Sequence, residues 1–395
     1  MPLKFVFGPS GSGKSTYLYQ HVIEESEKYP LKNFIVLVPE QFTMQTQKDL
    51  VSMHPRHGIM NIDVLSFARL AYRVFEETGT KQMQVLDDEG KNLILRKIAG
   101  DYENKLTVLK GNIKKLGYIS EVKSVISEFT QYDIGEEEMD EMLDHLDEDS
   151  RLYYKLKDIR LLYEGFQDYL RERYITKEEL LDVLNSQVKE SELLKNSVVV
   201  LDGFTGFTPV QNRLILELMR CCKEVWVTVT MDERENPYAY KHPYQLFGLS
   251  KQMVTTLVRM AGEDHIEVEE PVCLYGYPVK RFEKNQELAF LERNIFRYGS
   301  GRYDKAVANL EIHAAGNPRQ EADAVAEGIR RLVRKEQYRY RDIGVIVSDM
   351  NVYGDYLEQA FENYGIPVFM DHKRSILLNS FVEYIRSLLN MAEKN

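Results

Sequence analysis

The sequence predicts an α/β fold: a parallel sheet, interrupted by a block of helices and followed by a smaller α/β region. Three observations predict it. A short apolar run, Phe5-Val6-Phe7, passes through a glycine-rich turn directly into a helical pattern. All-apolar, β-rich runs recur at Phe34-Ile35-Val36-Leu37-Val38, at Val198-Val199-Val200-Leu201 and around Val225-Trp226-Val227. Such runs suit strands covered on both faces. Between the first and second of them, residues 85–190 read almost entirely as helix.

The turn after the first strand is Gly8-Pro9-Ser10-Gly11-Ser12-Gly13-Lys14-Ser15, followed by Thr16, a full match to the G-x-x-x-x-G-K-[ST] phosphate-binding loop. Each residue type has a task. Glycines turn the backbone sharply and let N–H groups approach phosphate oxygens. The helix N-terminus adds partial positive charge. Lys14 is placed to neutralise β/γ-phosphates, and the Ser15 hydroxyl to complete a Mg²⁺ shell. A glycine-rich turn could match this pattern by chance, but the strand before it and the helix after it favour a site for ATP. In that helix Tyr17, Leu18, His21, Val22 and Ile23 share a face before Pro30.

Composition bounds the rest. A chain of 395 residues, 44% hydrophobic and 29% charged, describes an ordinary globular protein with room for two or three domains. It has no long apolar run for a membrane helix and no apolar leader at its start. Three cysteines, Cys221, Cys222 and Cys273, make neither a metal site nor a disulfide framework, which suggests the reducing cytoplasm. The net charge of −11 argues against wholesale electrostatic binding of nucleic acid, yet leaves room for a local basic groove. Much of the acid lies in Gly135–Ser150, which reads as a solvated helix and loop.

Taken in order, Phe34–Val38 is closed by Pro39, and Pro39-Glu40-Gln41-Phe42-Thr43 leads into a polar helix. Loops at the carboxyl ends of such strands are where ligands bind in open α/β sheets. Ile62 and Val64 alternate with polar residues as a strand, Ser66 reads as a helix cap, and Phe67, Leu70, Ala71 and Val74 recur at helical spacing. Val85–Asp88 opens the helical block, in which the stripe Leu152, Leu156, Ile159, Tyr163, Phe166, Leu170 reads as packing core. The sheet resumes at Ser197–Leu201 and ends in Asp202, the pattern of a Walker B strand with its carboxylate set to hold Mg²⁺. The next residue is Gly203, where a hydrolytic enzyme of this class carries a glutamate to orient water. ATP binding is therefore favoured over hydrolysis. Glu224–Val229 is a further strand, and residues 231–300 read as mixed and polar, with a tyrosine-rich loop. A second α/β unit is expected from strands at 310–313, 343–347 and 365–369 alternating with helices. The expected divisions are 1–84 for the first part of the nucleotide-binding domain and 85–190 for the helical insertion. Residues 191–300 complete that domain, and 301–395 begin a second one that looks truncated, so the natural polypeptide is expected to continue.

These motifs together resemble a known family. GPSGSGKST, FIVLVPEQFT, IDVLSFARLAYRVF, VVVLDGFTGFTP and EADAVAEGIRRLV…YRDIGVIVSDM…YGIPVF follow one another as in the N-terminal part of the AddB subunits of AddAB (RexAB) helicase–nucleases, themselves similar to UvrD-like helicases. The likeness covers essentially all of the chain; PEQFT, SFARLAYRVF and LDGFTGFTP are its specific elements. It implies two RecA-like domains that no longer unwind DNA, the first interrupted by helices. It implies AddA as motor and partner, processing of double-strand breaks for recombination, and scanning of single-stranded DNA for a short Chi sequence. In the family a nuclease and an iron–sulfur cluster lie in the C-terminal region, and these residues hold no counterpart of either. By the same resemblance Gly8–Thr16 forms the nucleotide site, with Ser15 and Asp202 on Mg²⁺. Gln41, Thr43, Ser66, Arg69 and Tyr72 fall on the single-strand path, with Phe204 and Phe207 nearby. Amides and hydroxyls read base edges, Arg69 pairs with phosphate, and aromatics stack on unpaired bases. The competing reading places Phe42 and Phe67 in the core and Tyr72 on a plain surface. No match appears to the glutamine-bearing helicase motif expected after Val225–Thr230, where Met231-Asp232-Glu233-Arg234 follows. The alternative functions are an active DNA-stimulated P-loop ATPase or helicase and a small-molecule kinase. Gly203 argues against the motor, and the lack of an acceptor site with a base argues against the kinase.

Overall fold

A computed structural model of the chain describes residues 2–79, 84–113, 115–171, 174–299, 301–370, 376 and 379–394. They form two compact units, Met1–Lys305 and Ala306–Asn395.

The first unit is built on a six-stranded parallel sheet with the order β3-β2-β6-β7-β1-β8. Its strands are β1 (Leu3–Gly8), β2 (Asn33–Leu37), β3 (Ile62–Leu65), β6 (Ser197–Leu201), β7 (Glu224–Thr230) and β8 (Val272–Cys273). Alternation along each strand divides the core in two. Phe5, Phe7, Ile35, Leu37, Val199 and Leu201 face one side; Val6, Phe34, Val36, Val198, Val200 and Trp226 face the other. The second face is covered by α1 (Lys14–Lys28) and α2 (Thr43–Met53). The first is covered by α3 (Phe67–Thr78), α8 (Leu180–Gln187), α10 (Pro209–Cys221) and α11 (Gly248–Glu263). This three-layer, RecA-like arrangement explains why the strands read as continuous apolar runs.

The helical insertion has its own core, made by α4 (Asp88–Asp101), α5 (Leu116–Gln131), α6 (Glu136–Asp144) and α7 (Arg151–Leu170). Sequence periodicity begins this block with a helix at Val85, but the structure opens it with a strand. β4 (Gln84–Leu86) pairs in parallel with β5 (Tyr174–Thr176), and Asp87 then caps α4 through Gly90 N–H at 2.7 Å. This small sheet ties the entry of the insertion to its exit. Lys91 adds an ion pair to Glu178 at 2.6 Å, with both side chains largely buried. The short helix α9 (Glu192–Lys195) then leads back to β6. The stretch 231–300 holds more regular structure than its polar composition suggests: α11, β8 and α12 (Gln286–Asn294).

In the second unit α13 (Pro318–Lys335) packs on α14 (Met350–Asn363) through Ala322, Ala326, Ile329, Leu357, Ala360 and Phe361. Helix α15 (Ser380–Lys394) follows. The expected strands at 310–313, 343–347 and 365–369 form no hydrogen-bonded ladder among the described residues. An apolar run becomes a strand only when a neighbour accepts its backbone bonds. Here Ile312, Ile346 and Phe369 are 92%, 98% and 90% exposed. Among the described residues no helix is long and apolar enough to cross a membrane.

Candidate functional site

The carboxyl ends of the six parallel strands lie along one edge of the sheet, and every site residue singled out in the sequence sits there or one helical turn away. At the end of β1 the chain turns through the glycine-rich loop into α1. Gly8 is required by close approach: a Cβ there would lie 2.4 Å from Ser12 Oγ and 3.0 Å from the Leu274 carbonyl oxygen. Gly11 and Gly13 have φ of +84° and +94°, a region that costs other residues strain. No side chain caps α1, so its first turn keeps its N–H groups directed at the loop. Ser12 Oγ is buried without a partner among the described residues. A buried hydroxyl without a partner in the glycine-rich loop before α1 is a group that a phosphate oxygen would satisfy.

Lys14 reaches back across this loop, donating to the carbonyls of Gly8 at 2.9 Å and Pro9 at 3.0 Å. Burial brings its pKa down to about 8, with the Asp202 carboxylate pulling the other way and Arg281 adding to the depression. Ser10 and Ser15 are exposed at the mouth, and Thr16 is half-buried. Sequence reasoning missed a further side of the site. The turn Lys280–Phe282 lies against the loop, with Arg281 N–H donating to the Gly11 carbonyl at 3.1 Å. The Lys280 stem comes within 3.5 Å of a Cβ built on Gly13. Both cationic side chains are exposed and make no ion pair among the described residues. No local signal could have found them, because their role comes only from the chain's return to the loop.

Asp202 stands at the end of β6, 5% exposed. Its Oδ2 accepts from the Tyr19 hydroxyl of α1 at 2.7 Å, and its Oδ1 from Thr228 Oγ1 of β7 at 2.6 Å. Burial, then the Asp202 charge, push the Tyr19 phenol far above its ordinary range. Gly203 follows with φ of +78°. The position is thus special in its backbone as well as in lacking a carboxylate. Beyond β7, Asp232 is held down to about 2 by hydrogen bonds from Arg234, at 2.8 Å and 2.6 Å, in a knot that also takes in Arg297.

The loops of β3, β2 and β6 come from three adjacent strands. After β2, Gln41 and Phe42 are exposed, whereas Thr43 is buried and donates to the Glu40 carbonyl at 3.0 Å. After β3, Ser66 is buried and caps α3 by accepting from Arg69 N–H. The Arg69 and Tyr72 side chains stand in solvent, and Arg69 makes no ion pair among the described residues. Phe204 and Phe207, after β6, are half-buried and close on Phe67, with ring centroids 5.4 Å and 6.3 Å from it. They brace the end of α3. The structure therefore brings Gln41, in the turn after β2, and Arg69 and Tyr72, on α3 after β3, into solvent, and gives Thr43 and Ser66 local structural duties.

Comparison with known proteins gives a consistent assignment. A family model described as ADDB, N-terminal, matches residues 5–292. The chain belongs to the AddB N-terminal family. A protein from Lachnoclostridium phytofermentans, named as the B-type subunit of an ATP-dependent helicase/deoxyribonuclease, is 44% identical over the whole of this chain and 35% of its own length. Proteins of the same name from Clostridium kluyveri and Caldanaerobacter subterraneus are each 34% identical, again over the whole chain and 34% of their length. The chain thus spans about a third of the curated relatives that it matches. The AddB family match takes in the glycine-rich loop, all six strands of the large sheet from Phe5 onward and the Lys280–Phe282 turn.

Proposed function

We propose that this chain is the helicase-like region of an AddB-type subunit, binding ATP and contacting single-stranded DNA without acting as the motor. The working complex is a heterodimer with an AddA-type helicase–nuclease that processes double-stranded DNA ends in the cytoplasm for recombinational repair. An iron–sulfur cluster and nuclease would belong to a C-terminal region outside these residues. The observation that carries this reading is the contrast between two positions on the same sheet edge, after β1 and after β6. The loop Gly8–Thr16 keeps its cradle, its orphan Ser12 hydroxyl and Lys14, while Gly203 supplies no base to orient water. ATP would lay its phosphates on the loop, with Lys14 and the α1 N-terminus as counter-charges and the Ser15 hydroxyl toward Mg²⁺. The decisive measurement is ATP binding and phosphate release, with and without single-stranded DNA. Binding without turnover is expected; DNA-stimulated turnover returns the motor reading. The Gly203→Glu variant should lose about 1 kcal/mol of stability in urea unfolding, because φ of +78° strains any residue with a Cβ.

The strand path is supported by the exposure of Gln41 after β2 and of Arg69 and Tyr72 on α3 after the adjacent strand β3. Scanning for a Chi-type sequence needs both a phosphate contact and a base reader. Arg69→Ala should weaken binding of all single strands alike and lower the salt dependence by about one counterion. Gln41→Ala should reduce sequence preference more than affinity. Binding titrations over a salt series separate the two, and a uniform loss for Gln41→Ala would remove it as a base reader.

A further inference from the structure

We infer that Tyr19 and Thr228 hold Asp202 as an internal acceptor, so that this site binds nucleotide without Asp202 as a metal ligand and with little dependence on Mg²⁺. The inference rests on the nucleotide reading of the glycine-rich loop.

The donor set carries it. Mg²⁺ demands near-octahedral oxygen geometry, so a carboxylate that ligates it directly must turn an oxygen toward the open site. Asp202 has both oxygens engaged, Oδ2 by Tyr19 at 2.7 Å and Oδ1 by Thr228 at 2.6 Å. All three side chains are at most 5% exposed, and they come from α1, β6 and β7. Turning Asp202 toward a metal breaks two buried charge-assisted hydrogen bonds and leaves the Tyr19 hydroxyl only the longer contact to Thr46 Oγ1 at 3.4 Å, the costly direction for buried polar groups. Because the Tyr19 phenol is pushed far above its ordinary range, it stays a donor at any working pH. The residues present therefore do not fit the Mg²⁺ role expected of Asp202.

The positive charge that a metal brings to phosphates has a substitute on the other side of the loop. Lys280 and Arg281 lie against Gly13 and Gly11, are exposed, and form no ion pair among the described residues. With Lys14 they make a cationic collar around the cradle. Fixed side-chain cations meet phosphate oxygens directly and need no carboxylate behind them.

The test is a fluorescent-ATP titration of the whole chain in EDTA and in millimolar Mg²⁺. Wild-type affinities should agree within about threefold in the two buffers. Tyr19→Phe releases Oδ2 and should bind at least about tenfold tighter with Mg²⁺ than with EDTA. The double variant Lys280→Ala, Arg281→Ala should weaken binding in EDTA more than in Mg²⁺. The wild-type comparison alone decides the inference even if a variant fails to fold. Wild-type binding that needs Mg²⁺ overturns the inference and leaves the nucleotide reading standing; no binding in either buffer overturns both.

Discussion

Lys14→Ala is expected to lose nucleotide binding, a fall of at least about a hundredfold, while single-stranded DNA binding stays within about twofold of wild type. Lys14 reaches across the loop, and its ammonium lies on the Gly8 and Pro9 carbonyls. Phosphates would draw it from those carbonyls at little cost, since one set of acceptors replaces another. The proposed DNA contacts Gln41, Arg69 and Tyr72 stand on the segments that follow other strands, β2 and β3. A pH series adds a signature of the same residue. In the free protein Lys14 titrates at about 8 because burial penalises its charge. Bound phosphate favours the charged form, so binding takes up a proton above that pH. Wild-type affinity should be flat below about pH 8 and then fall toward tenfold per pH unit. Lys14→Ala should show no such break in whatever weak binding remains. The folded chain releases this proton before the unfolded chain does, so the group's contribution to stability rises with pH between about 8 and the ordinary 10.5. A folded Lys14→Ala protein that has lost DNA binding as well would remove the two-site picture.

The parts of the fold legible in the sequence are those whose signal is local. The β1–loop–α1 unit announces itself by strand pattern, glycine spacing and helical periodicity, and the buried strands announce themselves as apolar runs because both faces of the sheet are covered. The strand order is not legible, since β6 lies between β2 and β7 only after the whole insertion has been traversed. Strands β4 and β5 have no identity apart from each other, being three residues each and paired across the insertion. The reverse error occurs at 343–347, where an apolar run is sufficient to predict a strand but no strand pairs with it among the described residues. Helix α11 carries Val254, Leu257, Met260 and Ala261 on its buried face, a helical signal obscured by the polar residues around it. The site divides in the same way. Lys14 and Asp202 are readable as motif letters, but the partners Tyr19 and Thr228 are chosen by tertiary packing and decide what Asp202 can do. Ser66 is readable both as a cap and as a DNA contact, and the structure places its oxygen on the Arg69 N–H.

Asp158→Ala is expected to cost about 3–5 kcal/mol, the largest stability effect of any single substitution considered, because it takes a buried acceptor away from three backbone N–H groups at once, that of Leu109 fully buried. Asp158 lies on α7, 2% exposed, among the core residues of the helical insertion. Its carboxylate accepts from three successive backbone N–H groups in the connection between α4 and α5: Thr107 at 2.9 Å, Val108 at 2.8 Å and Leu109 at 2.8 Å. Three consecutive amides converging on one carboxylate form an anion nest filled by the protein itself. The nest brings Leu106 and Leu109 into the core of the insertion, where both are buried. Alanine removes the acceptor, and the buried Leu109 N–H is the donor that loses most by it. Asp158→Asn keeps one acceptor oxygen but turns an amide NH₂ toward backbone donors, so it should recover less than half of the loss. Urea unfolding of the two variants measures the difference, and hydrogen exchange at 107–109 locates it. ATP binding by whatever fraction remains folded should be unchanged, because the insertion has a core separate from the sheet that carries the loop. A loss below about 1 kcal/mol would mean that these amides find other partners, and that the connection is held by its leucines alone.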